Sequence, residues 1–106
     1  MKISSRSKSV DENELLVQKA LELYLEHHPH AEIVTFRQNP VSIHIRIVDP
    51  SFQGMDRVAR QESLSSAIVA IPDEVQGDIT RLLLLTPEEA KVSFANFEFE
   101  HPIPSP

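Results

Sequence analysis

Residues 41–48 read Val-Ser-Ile-His-Ile-Arg-Ile-Val. Val41, Ile43, Ile45 and Ile47 alternate with Ser42, His44 and Arg46. Successive side chains on an extended backbone point to opposite faces, so this pattern predicts a half-buried strand. Residues 31–37 (Ala-Glu-Ile-Val-Thr-Phe-Arg) are β-branched or aromatic at 33–36, which suits a pleated surface. Gln38-Asn39-Pro40 between the two runs is a turn. An antiparallel hairpin follows.

Helices flank this hairpin. Asp11 with Glu14 gives a capping-box pattern, and Val10 and Leu15 occupy the staple positions. Leu16, Ala20, Leu23 and Tyr24 recur at helical spacing, with Leu21 and Leu25 widening the stripe. Pro29 ends that helix at His27 or His28. After the break at Asp49-Pro50-Ser51, a second helix is expected from Asp56 to Ala70, with Val58, Leu64, Ala67, Ile68 and Ile71 inward. Pro72 to Gln76 reads as a short helix closed by Gly77. Residues 78–85 form a third strand, with Ile79, Leu83 and Leu85 on one face and Leu82 and Leu84 on the other. Thr86-Pro87-Glu88-Glu89 starts a last helix over about 87 to 95.

The order is helix, strand, strand, helix, short helix, strand, helix. It predicts a two-layer α+β domain with a three-stranded mixed sheet and helices on one face. A chain of 106 residues suits one domain, placed at 10–95. Residues 1–9 are polar and basic and read as a disordered arm. Residues 96–106, with the Pro-rich end, read as an irregular tail. Phe94, Phe97 and Phe99 either clamp onto the domain or form an interface.

Composition excludes several functions. Without cysteine there is no disulfide, thiol nucleophile or thiolate metal site. A net charge of −6 disfavours sequence-independent nucleic-acid binding. No apolar run has the length of a membrane span, and the N-terminal residues do not read as a secretory signal. A cytoplasmic protein is expected. No Gly-x-Ser-x-Gly elbow occurs, and the chain is not expected to be an enzyme. His27, His28 and His30 cluster, but Pro29 interrupts the helix, and a helix-end role is favoured over a metal site. No cofactor is expected.

The run Phe52-Gln53-Gly54-Met55-Asp56-Arg57-Val58-Ala59-Arg60-Gln61 resembles the signature of the BolA-like family, Phe-x-Gly followed by Arg-Val-x-Arg-His. The Leu-rich strand ending in Thr86-Pro87-Glu88-Glu89 is a second match. The resemblance extends from roughly Leu15 to Glu89 and implies a type II KH-like fold. BolA-like proteins partner monothiol glutaredoxins and share a two-iron two-sulfur cluster held by histidine. In this chain Gln61 stands in place of the histidine of the Arg-His pair. Counting back from Thr86 puts the family's invariant histidine at Asp78. The variable loop falls near Asn39 to Ser42, where neither Cys nor His occurs. Aspartate is a hard oxygen donor, poorly matched to an iron–sulfur cluster. The resemblance therefore implies a kept scaffold without the usual cluster role, and the missing ligands weigh against a glutaredoxin-like partner.

The expected function is a non-enzymatic protein-interaction or regulatory module, monomeric or weakly dimeric. Its partner-binding face comprises Phe52, Gly54, Met55, Arg57, Arg60 and Gln61, with Asp78 nearby. Phe52 also suits a core anchor, and Gly54 a backbone angle other residues avoid. Arg57 and Arg60, three apart, share a helix face, either for an anion or as a solvated face paired with Asp56 or Glu62. The alternative is a KH-like nucleic-acid binder using those arginines, or a strand face of Arg37, His44 and Arg46. The Gly-x-x-Gly loop of KH domains is absent.

Overall fold

In a computed structural model, which describes residues 3–93 together with Asn96 and Phe99, the chain runs as follows. Strand β1 (Ile3–Ser5) precedes helix α1 (Glu12–His27) and the hairpin of β2 (Glu32–Asn39) and β3 (Ser42–Val48). A turn of 3-10 helix (Pro50–Phe52) leads to α2 (Arg57–Ser63), α3 (Ser65–Ile68) and α4 (Asp73–Gln76). Strand β4 (Ile79–Leu85) and α5 (Pro87–Ala90) complete the elements.

The sheet has four strands in the order β1-β2-β3-β4. β2 and β3 are antiparallel, whereas β1 joins β2 and β4 joins β3 in parallel. The α+β class and the mixed sheet are as expected, but the three expected strands become four. Residues Ile3–Ser5, assigned from composition to a disordered arm, pair with Ile33–Thr35. Ile3 is buried in the core, and one buried apolar side chain with three paired residues holds a segment whose neighbours are all polar.

Ile43, Ile45 and Ile47 of β3 are fully buried beneath the helices. They meet Val17, Ala20, Leu21 and Tyr24 of α1, Leu64 and Ala67 near α3, and Ile71, Val75 and Leu84. Ala20, Leu21 and Tyr24 of the expected α1 stripe are buried, and Val17 rather than Leu16 completes it, at i, i+3, i+4 and i+7. Leu23 is 43% exposed, and Leu16 and Leu25 pack at the margin.

Two further expectations change. The helix from Asp56 to Ala70 is broken at Leu64, whose N–H turns back to Gln61 O at 3.0 Å. That tightened turn re-phases the two pieces. Val58 is left 61% exposed while Leu64, Ala67 and Ile71 carry the core. On β4, a register irregularity lies between the Ile43–Ile79 and His44–Arg81 pairs. One extra residue there moves Ile79 onto the helix-covered face with Leu82 and Leu84 instead of the face of Leu83.

The sheet's other face carries a smaller cluster of Val34, Phe36 and Phe99, with Leu83 packed against it. Asn96 and Phe99 belong to the sequence-expected irregular tail, yet both are buried and helical in backbone conformation. Phe94, Phe97 and residues 101–106 lie outside the described residues. Among the described residues no helix is long and apolar enough to cross a membrane.

Candidate functional site

The Phe52–Gln61 run is a chain of local devices. Asp49 accepts a hydrogen bond from Ser51 N at 2.8 Å and so caps the 3-10 turn. That turn drives Phe52 into the core, fully buried beside the Tyr24 ring. Met55 N then donates to Phe52 O at 3.0 Å across a turn in which Gly54 has φ +82°. A left-handed residue is needed there, and glycine adopts it without strain. Asp56 closes the loop as the N-cap of α2, accepting from Ala59 N at 2.8 Å.

This loop delivers Arg60 to a site the sequence reading did not identify. Its Nη1 and Nη2 donate to Glu89 Oε1 and Oε2 at 2.6 and 3.0 Å. Nη1 also donates to Leu84 O at 2.9 Å, and Nε to Met55 O at 3.1 Å. The guanidinium carbon lies 5.6 Å from the Phe52 ring centroid. Arg60 is thus a fork binding loop, strand and the start of α5 together. The partners expected from sequence were Asp56 or Glu62, the local acids. Glu89 was read as a helix-start residue, and it does complete the α5 capping box, accepting from Thr86 N at 2.9 Å. The Arg60 hydrogen bonds hold the Glu89 carboxyl down to about 2.

Between α2 and β4 opens a cleft of about 330 Å³, with Met55, Arg57, Gln61 and Leu82–Leu85 on its walls. Arg57 and Gln61 are exposed, and Met55 is partly so. Arg57 makes no ion pair among the described residues. The two arginines therefore share a helix but not a role: one is spent on the fold, the other faces solvent at the cleft.

Asp78 does not join this group. It precedes β4, six residues from Leu84 at about 3.3 Å per residue, so the two are ~20 Å apart. Its carboxylate stands 3.8 Å from Arg37 Nη1. Arg37 is anchored chiefly by Asp11, with Nε 2.8 Å from Oδ2. That bond draws the Asp11 carboxyl below its ordinary value.

The strand face of Arg37, His44 and Arg46 is corrected on two counts. Arg37 stands opposite Ile43 on the helix-covered face, whereas His44 and Arg46 point to the other face, opposite Phe36 and Val34. His44 and Arg46 are only 9% and 7% exposed. Arg46 Nη1 donates to Asn96 Oδ1 at 2.7 Å, and its guanidinium lies over Phe99. His44 packs edge-on against Phe36. Asn96 and Phe99 cover part of what alternation alone presents as an open sheet face.

Two other polar clusters lie within the fold. Glu14, fully buried, accepts hydrogen bonds from Ser5 Oγ, Ser7 Oγ and Thr35 Oγ1 at 2.6, 2.8 and 2.5 Å. Asp11 caps α1 as expected, but the Glu14 carboxylate turns inward instead of completing a capping box. The other cluster unites Tyr24, His28, Asp49 and Ser51. Tyr24 OH donates to Asp49 Oδ2 at 2.5 Å, and the Tyr24 and His28 rings stack 4.0 Å apart. Asp49 Oδ2 and Ser51 Oγ both lie 3.4 Å from the same ring atom, His28 Nδ1. A hydrolytic relay needs its nucleophile and its acid on opposite ring nitrogens, so this set is a structural knot. Burial pushes the Asp49 carboxyl up, but hydrogen bonds from Tyr24 and Ser51 outweigh it and leave it lowered. Burial, with Asp49 beside it, raises the Tyr24 hydroxyl far above its usual value. Among the described residues no group of three or more His, Cys, Asp or Glu side chains is placed to hold a metal ion.

Comparison with protein-family models, curated proteins and solved structures finds no match to this chain.

Proposed function

We propose that this chain is a non-enzymatic, cytoplasmic protein-interaction or regulatory module of BolA-like type, binding its partner at the cleft between α2 and β4. The observation that carries the reading is Arg57. It is an exposed cation lining the cleft beside Leu82–Leu85, without an ion pair among the described residues. Arg60, Arg37 and Arg46, by contrast, are engaged by Glu89, Asp11 and Asn96. Met55 adds an adaptable apolar contact and Gln61 a hydrogen-bonding group. Phe52, Gly54 and Arg60 support the face from behind.

The family's histidine-held cluster does not suit this donor set. Gln61 and Asp78 occupy the positions aligned with the family histidines, and Asp78 lies at the far end of β4 beside Arg37. Carboxylate and amide oxygens are poor ligands for iron–sulfur clusters. The reading is therefore an adaptor without that cofactor.

The test is capture from a lysate of the source cells by the wild-type chain and by Arg57→Glu, each with and without nuclease. A protein partner lost on Arg57→Glu and kept after nuclease is the expected result. Capture indifferent to Arg57 overturns the site. Capture that vanishes with nuclease replaces the adaptor reading with nucleic-acid binding.

A further inference from the structure

Strand β4 is an edge of the sheet, with no strand beyond it among the described residues. Asp49 N donates to Leu85 O at 2.9 Å, which fixes the side of β4 that faces β3. Parallel pairing alternates residue by residue, so Leu83 and Leu85 turn their main-chain groups inward. Leu82 and Leu84 turn theirs outward. The Leu84 carbonyl is already taken on that outer side by Arg60 Nη1. The Leu82 N–H and C=O and the Leu84 N–H front the cleft. A shallower trough continues along Ile79–Leu83, still bordered by Arg57 and Gln61.

We propose that this cleft takes an extended acidic segment of a protein partner, added beside β4 as a further strand, with a carboxylate on Arg57. The inference rests on the interaction-module reading and specifies its mode. Strand addition supplies main-chain hydrogen bonds whatever the sequence, and the flanking side chains select among sequences. The charges select acids. Arg57 borders both the cleft and the trough, and the acid on the cleft wall, Glu89, is bonded to Arg60. A second copy of this chain is a poorer occupant. Strand β4 (Ile79–Leu85) has no acid of its own to set against Arg57 of the other copy. The exposed Arg57 thus favours an acidic strand at this edge over a second copy.

The probe is a capped hexapeptide of alternating Val and Glu, with its Val/Lys counterpart as control, titrated into the full chain. Amide hydrogen exchange at Leu82 and Leu84 is followed by NMR. The Val/Glu peptide is expected to slow both amides roughly tenfold, as hydrogen-bonded edges are protected. In Arg57→Glu the preference is expected to invert toward the Val/Lys peptide. Unchanged exchange with either peptide, or equal protection by both, overturns the proposal. Failure here is separable from failure of the module itself. An Arg57-dependent partner that leaves Leu82 and Leu84 exchange unaltered removes strand addition and keeps the module. Capture indifferent to Arg57 removes both.

Discussion

Glu14 and Thr35 meet across the helix–sheet interface, Thr35 Oγ1 donating to Glu14 Oε2 at 2.5 Å. Ser5 and Ser7 donate to the same carboxylate, and Ser7 Oγ accepts Arg37 N at 2.9 Å. One buried acid thus fastens the N-terminal strand to both α1 and β2. Removing it leaves the buried Thr35 hydroxyl without its acceptor. Glu14→Ala is expected to lower stability by about 2–3 kcal/mol, the cost of stranding buried polar groups. Urea unfolding measures this, and a loss below about 0.5 kcal/mol contradicts the clasp.

Arg57 and Arg60 separate by experiment. Arg60→Ala breaks the fork to Glu89 and Leu84 and is expected to cost about 2 kcal/mol. Arg57→Ala, on an exposed position, is expected to stay within about 0.5 kcal/mol of wild type. Equal thermal midpoints for the two variants count against the fork. The same contrast makes Arg57 the residue of choice for binding assays, because a charge reversal at Arg60 confounds binding with folding.

Gly54→Ala isolates a backbone cost. A Cβ at Gly54 meets nothing within 4 Å, so no clash contributes. Its φ of +82° alone is expected to cost about 1–2 kcal/mol. Chemical denaturation checks it, and an unchanged midpoint shows that the turn relaxes.

Acid sensitivity follows from three carboxyls. Asp11 is lowered by its Arg37 bond, and Asp49 is lowered despite burial by Tyr24 and Ser51. Glu89 is lowered from 4.5 to about 2 by Arg60. A carboxyl whose folded value lies below its unfolded one contributes stability above the unfolded value and loses it as pH falls through the folded one. The urea midpoint is therefore expected to be level above about pH 5. It should then fall as pH drops from 4.5 toward about 2. Glu89 is 45% exposed on its side chain, so solvent screening keeps its share small. Arg60→Ala should make the decline shallower, and an identical decline removes Glu89 from the account.

Much of this architecture was written locally. The alternation forms β3 over Ser42–Val48 with Ile43, Ile45 and Ile47 inward, as pleat geometry dictates, while Val41 falls in the turn and is 68% exposed. Asp11, Asp56 and Thr86 cap the helices they precede, and Gly54 takes the left-handed turn, since each device spans only a few residues. Long-range relationships were not legible. Nothing in the sequence near Arg60 points 29 residues on to Glu89, because folding brings the α2 and α5 termini together at the end of β4. Three polar residues after Ile3 conceal a strand held by register with β2 and by the buried Glu14. Alternation predicted an outward His44 and Arg46 correctly as a direction, but only tertiary packing laid Phe99 over them. The sequence by itself determined the β2–β3 hairpin, strand β4 and the capped helix starts, because these are local patterns, but not β1 or the break at Leu64. The tertiary structure decided which charges are consumed by the fold and which, at Arg57, remain facing the cleft.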